Sequence, residues 1–161
     1  MTLLELILVM VILSTVLAMA APSLRGFFAS RRIEDTAAQI LALTQLARSQ
    51  AVSEGIVYRL NFDTRQRTYW LTAQRAGAFE ELGSGLGQVF TLPKDVNVEL
   101  EEIEEEDGDT FLVFTPFGTV TAGTIRLIDR RGQAIDVTCP TVTESFSIEQ
   151  SRDTYDRYAS R

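Results

Sequence analysis

The chain has 161 residues, 22 acids against 15 bases, a formal net charge of −7, no histidine and a single cysteine. Those counts exclude Ser-His-Asp triads, Cys-His dyads, histidine-based zinc sites and any intrachain disulfide. The acidity is local: residues 99–109 hold eight acids and no base, and the remainder carries fourteen acids against fifteen bases. With no basic excess to meet phosphates, nucleic acid is disfavoured as a partner.

Residues 6–21 carry no charge, and one acid, Glu5, stands at their edge. Nineteen residues, 3–21, at ~1.5 Å each nearly cross a ~30 Å hydrocarbon layer. The pattern predicts a single membrane-spanning segment over residues 1–22, with everything after it on one side. An acid at the centre of a bilayer costs ~2.5–3.5 kcal/mol or more, so Glu5 is expected to have a partner that satisfies it. The competing reading is a signal peptide cleaved after Ala20 or Ala21, where Ala18-Met19-Ala20 has the small-residue form. Glu5 sits where a signal peptide wants a base, Pro22 follows at once, and helical patterning then resumes. A retained segment is the better reading. Arg25, Arg31 and Arg32 follow the span and would be held in the cytoplasm by the positive-inside rule. Either that rule is overridden here, or a basic leader upstream of Met1 is missing from this sequence.

Pro22 and Gly26 weaken a helix and predict a kink or local melting. Beyond them Ile33, Ala37, Ile40, Thr44, Ala47 and Ala51 recur at spacings of three and four, one stripe of an amphipathic helix. Leu41, Leu43 and Leu46 widen the stripe. Gly55 is the natural stop. Residues 2–54 then read as one helix of about 80 Å, with residues 23–55 as the amphipathic continuation that packs on a domain.

From residue 56 the period becomes two. Tyr58, Leu60 and Phe62 alternate with Val57, Arg59 and Asn61, and after a turn at residues 63–66 a return strand covers residues 68–73. Residues 74–88 hold four glycines and read as a loop. Strands are expected at residues 96–101 and 111–115, then as a hairpin of 124–128 and 134–139 about Asp129-Arg130-Arg131-Gly132, with a short last strand at 144–148. The domain spans residues 56–150, and residues 151–161 form a polar tail. The fold class is α+β: one long N-terminal helix, its amphipathic half wrapped by an antiparallel sheet of six or seven strands.

The opening Thr2-Leu3-Leu4-Glu5-Leu6, the apolar run and Pro22 resemble the N-terminal motif of type IV pilins and type II secretion pseudopilins. Residues 47–62 (ARSQAVSEGIVYRLNF) and Phe114-Thr115-Pro116-Phe117-Gly118, with residues 124–127 and Arg131-Gly132, resemble the H-type, or FimT-like, minor pseudopilins. The resemblance spans most of the chain. It implies a pilin-like fold and a minor pseudopilin of the type II secretion pseudopilus, placed at its tip and supporting protein export across the outer membrane. It implies that Met1 stands at the position where a prepilin peptidase cuts and methylates the N-terminus. It also implies that Glu5 neutralises the terminal ammonium of a neighbouring subunit, since an ion pair in low dielectric is strong only when well made. The implied partners are other pseudopilins, both the minor tip complex and the major subunit, together with the prepilin peptidase and inner-membrane lipid. The implied location is the inner membrane, single-pass, with the domain in the periplasm. No enzymatic activity and no cofactor are implied. The alternative is a minor pilin of a type IV pilus, active in pilus assembly or DNA uptake.

Other features have simpler readings. Gly83-Ser84-Gly85-Leu86-Gly87 matches neither a dinucleotide fingerprint nor a P-loop and reads as a flexible loop. Asp107 and Asp109 lack the spacing of a calcium loop, and the acidic run reads as a solvated strand end and hairpin tip. Cys139 has no basic neighbour in sequence to lower its pKa and reads as a half-buried strand residue or a surface thiol. Tyr69, Trp70 and Phe79 near Arg65, Arg67 and Arg75 are weighed as a base-stacking surface, and a packed hairpin face explains them more simply.

Overall fold

The structure, a computed structural model, describes residues 2–83, 85, 87–106 and 109–150, with the backbone alone for residues 19–30, 104, 106, 109 and 150. One helix, α1 (Leu3–Glu54), fills the first third of the chain. It starts at Thr2, whose extended backbone and side chain cap the first turn together with Glu5. It stops at Gly55, which takes the left-handed conformation (φ 69°) and donates its N–H to the Ala51 carbonyl. A residue with a Cβ meets strain in that conformation, so glycine ends the helix cleanly. The melting expected at Pro22 and Gly26 does not occur, because α1 runs through both without interruption. A proline removes one helical hydrogen bond, and the turns on either side keep theirs.

Among the described residues ten strands follow: β1 (Tyr58–Asp63), β2 (Thr68–Arg75), β3 (Ala78–Glu81), β4 (Phe90–Thr91), β5 (Val96–Glu101), β6 (Glu104–Glu106), β7 (Asp109–Phe114), β8 (Gly123–Asp129), β9 (Ala134–Cys139) and β10 (Ser147–Gln150). They make two antiparallel sheets where the sequence suggested one. The first runs β3-β2-β1-β7-β6, with β4 also pairing β2, and the second runs β10-β9-β8-β5. Helix α1 contacts both, through β1 and β7 on one side and β8, β9 and β10 on the other.

The stripe on α1 lies at this junction. Ile33, Ala37, Ile40, Thr44, Ala47 and Ala51 are all buried, joined by Thr36 and Leu43. The small side chains let the helix come close to two sheets at once. Facing it are Tyr58 and Leu60 of β1, Leu112 and Phe114 of β7, Ile125 and Leu127 of β8, and Val137 and Cys139 of β9, each with no exposed surface. Tyr69 is stacked between Phe62 and Phe90, with ring centroids 6.0 and 5.4 Å away. Its hydroxyl donates to Gln39 Oε1 of α1 at 2.8 Å, fastening the sheet to the helix.

The loop expected over residues 74–88 is half strand. β2 continues to Arg75, and β3 pairs back on it with Arg75 opposite Ala78. Ala76 (φ 49°) and Gly77 (φ 89°) are both left-handed, the requirement of a two-residue hairpin turn whose twist matches its strands. The last strand begins at Ser147 rather than residue 144, because Val120 donates its N–H to the Val142 carbonyl and Glu144 closes a turn on Thr141. Cys139 is fully buried, which corrects the half-buried or surface reading. Its thiol donates to the Thr141 carbonyl at 3.1 Å, and burial pushes its pKa up.

The acidic run is divided among three elements: the end of β5, the short β6 and the start of β7. The chain leaves the second sheet for the first at Glu102, which is left-handed (φ 59°). A Cβ at Gly123 would lie 2.8 Å from Ile103 Cγ1 and 3.1 Å from the Glu101 and Glu102 carbonyl oxygens, so only glycine lets the strand pass under that crossing. Asp107 lies outside the described residues. Among the described residues no three acids, cysteines or histidines gather as metal ligands.

On the outer face of the second sheet, Arg126 donates from Nε and Nη2 to both carboxylate oxygens of Asp136, each at 2.9 Å, and from Nη1 to Glu101 at 2.8 Å. The Asp136 contact raises its pKa. Glu99 is directly opposite Arg126 and Glu149 directly opposite Asp136. Arg126→Leu is expected to cost about 1–2 kcal/mol, since it removes a bidentate pair and leaves like charges facing one another. Denaturant midpoints at low and high salt check this, with salt recovering part of the loss.

Candidate functional site

The feature that stands apart from the packed domain is the first half of α1. Its twelve large apolar side chains from Leu3 to Leu17 are 45–81% exposed. Soluble monomers rarely show apolar patches above a few hundred Å², so this surface is built to be covered. Its two hydroxyl side chains are satisfied within the helix, Ser14 donating to the Met10 carbonyl at 2.5 Å and Thr15 to the Val11 carbonyl at 2.8 Å. Internal satisfaction is what an apolar environment demands of polar groups. Among the described residues no helix is long and apolar enough to cross a membrane. The described apolar side chains end at Ala18, and the expected span continues through residues 19–22, whose side chains lie outside them.

Glu5 lies in the first turn of this helix. Its Oε2 accepts the Thr2 N–H at 3.4 Å, and Thr2 Oγ1 accepts the Glu5 N–H at 3.4 Å. This reciprocal capping box satisfies two otherwise orphaned N–H groups, and a carboxylate there is favoured by the helix dipole. The capping role of Thr2 is what sequence reasoning passed over. Its signal was present as Thr-x-x-Glu before an apolar run. The two bonds are exposed and local, so they leave the carboxylate open to another partner. Met1 lies outside the described residues.

Tyr69 and Arg67, weighed as part of a base-stacking surface, are committed elsewhere. Tyr69 is 1% exposed. Arg67 reaches away from the strand and donates through Nη2 to the Pro93 and Val96 carbonyls. Phe79 is stacked by Arg59, 3.8 Å from its ring centroid, and the same guanidinium lies 3.9 Å from the Phe111 ring.

Burial pushes the Tyr69 pKa up to about 12. A folded value above the unfolded one near 10 means that the folded state holds its proton longer. The associated stability is present below pH 10 and lost as the pH rises through 12, by about 2–3 kcal/mol at most. Tyr69→Phe is expected to flatten alkaline destabilisation between pH 10 and 12, and to cost about 1 kcal/mol at neutral pH through the lost Gln39 bond. Denaturant titrations across that range provide the check.

A buried helical stripe packed on two antiparallel sheets is matched by known proteins. The model of the type II transport protein GspH family matches residues 36–140. The chain belongs to the GspH family. The matched segment begins on the amphipathic half of α1 and ends just past β9, so it takes in most of the packed domain.

Solved structures of the same fold include the minor pseudopilin EpsH from the type 2 secretion system of Vibrio cholerae. That protein is 14% identical, with a TM-score of 0.63 over 74% of this chain and 97% of that one. A second EpsH structure gives 13% identity and a TM-score of 0.62, over 76% and 96% of the two chains. The type IV minor pilin FimU of Pseudomonas aeruginosa is 15% identical, with a TM-score of 0.52 over 78% and 92%. A comparison with curated protein sequences finds none that matches. The fold of this GspH-family chain is thus pilin-like, with its long helix and antiparallel sheets in the arrangement of both pseudopilins and pilins.

Proposed function

We propose that this GspH-family chain is a minor pseudopilin of a type II secretion system, a structural subunit that assembles with other pseudopilins and supports export across the outer membrane. The observation that carries this reading is the family match over residues 36–140, joined to an apolar helix half that no described part of the domain covers. The role is mechanical: the helix is the joint between subunits and the domain is the surface of the filament. The chain is anchored in the inner membrane as a single pass by residues 1–22, with the domain in the periplasm. Its place is the tip. A prepilin peptidase acts at Met1, and Glu5 pairs with the terminal ammonium of a neighbour, exchanging its local contact with Thr2 for a full countercharge.

Deletion of the gene is expected to stop secretion by the host's type II system, and the full chain supplied in trans to restore it. Normal secretion in the deletion strain would sink the proposal. The FimU-like fold keeps a second reading, a minor pilin of a type IV pilus. That reading predicts loss of surface pili with secretion intact.

A further inference from the structure

We propose that the domain carries a lipid-headgroup site, a basic corner of Lys94, Arg130 and Arg131 that binds the phosphates of anionic lipid. The inference rests on the single-pass anchoring proposed above. Register places the three bases together. Val96 pairs with Asp129, so the turn at residues 93–96 lies beside the turn at residues 129–132. Both turns are tied down. Val96 donates its N–H to the Pro93 carbonyl at 3.0 Å, and Gly132 (φ 79°) donates its N–H to the Asp129 carbonyl at 3.1 Å. Arg67 reaches across from the β1–β2 turn and donates to the Pro93 and Val96 carbonyls. Lys94, Arg130 and Arg131 are exposed on these turns, and among the described residues no ion pair takes them up.

The acids of the corner are committed to other groups. Asp95 pairs with Arg32 of α1 at 3.1 Å. Asp129 is 5% exposed, and its Oδ1 accepts the Arg131 and Gln133 N–H groups at 2.8 and 2.9 Å. The Arg32 pair also fixes where the corner faces. Ile33 is the first described residue of the buried core, so Arg32 stands where α1 leaves the domain toward its apolar half. Other acids share this end of the domain. Phe62 pairs with Thr110, which brings Asp109 beside Asp63, and Glu106 pairs with Asp109. Those strands belong to the first sheet, whereas the basic turns border β5, β8 and β9 of the second. Glu34 and Asp35 are exposed on α1, off its buried stripe. The end is therefore divided, cationic at the second sheet and anionic at the first.

The tether chooses the partner. Ten helical residues at ~1.5 Å each put Arg32 about 15 Å past Pro22, where the expected span ends. The headgroup layer takes up about 5–8 Å of that distance. A helix tilt of ~20° lowers one side of the domain further. The gap that remains is comparable to the ~8 Å over which charges act at physiological salt. A surface held so close is present at high effective concentration, so a few bases suffice to bind it. Free nucleic acid lacks that advantage and needs a broader basic surface. The divided charge also sets a posture: the second sheet leans onto the headgroups, and the acidic tip between β6 and β7 is held away from them.

Lys94 is the only lysine in the chain, so its acetylation, followed by peptide mass, reads the corner directly. The test places the full chain in nanodiscs of phosphatidylcholine alone or mixed with phosphatidylglycerol. Lys94 is expected to react at least about tenfold more slowly in the anionic discs, with the difference lost at high salt. Arg130→Glu combined with Arg131→Glu is expected to abolish the slowing. Arg75→Glu, at the opposite end of the domain, is expected to keep it. Equal rates in the two discs, slowing that survives the double substitution, or slowing that requires a second copy of the chain in the disc would overturn the proposal. If the chain enters the discs and the rates are equal, the corner fails and the anchoring reading stands. If the chain does not enter them, the anchoring reading has failed and the corner with it.

Discussion

Glu5→Leu is expected to leave the domain folded and the chain in the membrane while secretion falls to the level of the deletion strain. No described residue of the core is near residue 5: the buried core begins at Ile33, roughly 40 Å along the helix. Membrane insertion gains from the substitution, since an acid is removed from an apolar run. On the proposed reading, what is lost is the negative charge offered to a neighbour's terminal ammonium. An unpaired ammonium left in low dielectric is costly, so one missing carboxylate disturbs two subunits.

The capping box supplies the discriminating variant. Glutamine at this position keeps the acceptor that reaches back to the Thr2 N–H and removes the charge. If Glu5 serves only to cap its own helix, Glu5→Gln behaves as wild type. If it serves as a countercharge, Glu5→Gln fails nearly as fully as Glu5→Leu, and Thr2→Ala, which weakens the cap by about 1 kcal/mol, is far milder. Secretion assays and co-purification of neighbouring subunits read both outcomes. Full activity in Glu5→Gln would remove the inter-subunit role.

Ile40→Ala is expected to give the largest loss of domain stability. Ile40 has no exposed surface and lies mid-stripe, where α1 meets both sheets. Truncation removes packing from two layers at once and leaves a cavity, which costs about 2–5 kcal/mol. For a domain near 100 residues that lowers Tm by roughly 10–30 °C. The same stripe predicts the opposite failure. Ala47→Leu inserts volume where the helix approaches most closely and is expected to cost about 1–3 kcal/mol. Thermal unfolding of the full chain in detergent, followed by Trp70 fluorescence, measures both. A Tm change under about 3 °C in Ile40→Ala would mean that the helix is not the spine of the domain.

Much of this architecture is legible in the chain because burial is one-sided. Where an element hides one face, its apolar residues recur at its own period, and α1, β1, β2, β8 and β9 were all readable in that way. β3 was not. Its four residues are mostly exposed, so burial leaves no mark on them, and the left-handed Ala76 that starts its turn is not a residue the turn favours. β6 is three acids and carries no apolar signal at all. β4, two residues long, exists only because it finds an edge of β2. Cys139 looked peripheral because nothing in sequence near it reveals that α1 and the residue 141–146 segment close over it.

The sequence by itself determined the long helix, its two halves, the acid at position five, the small residues that let sheets approach and the lack of histidine chemistry. These are local properties, set by period, composition and capping. Only the tertiary structure decided that there are two sheets rather than one, and that Arg48 of α1 fastens the segment of residues 143–145. Those facts depend on pairings between residues far apart in the chain, and hydrophobic periodicity carries no record of which strand an edge will meet.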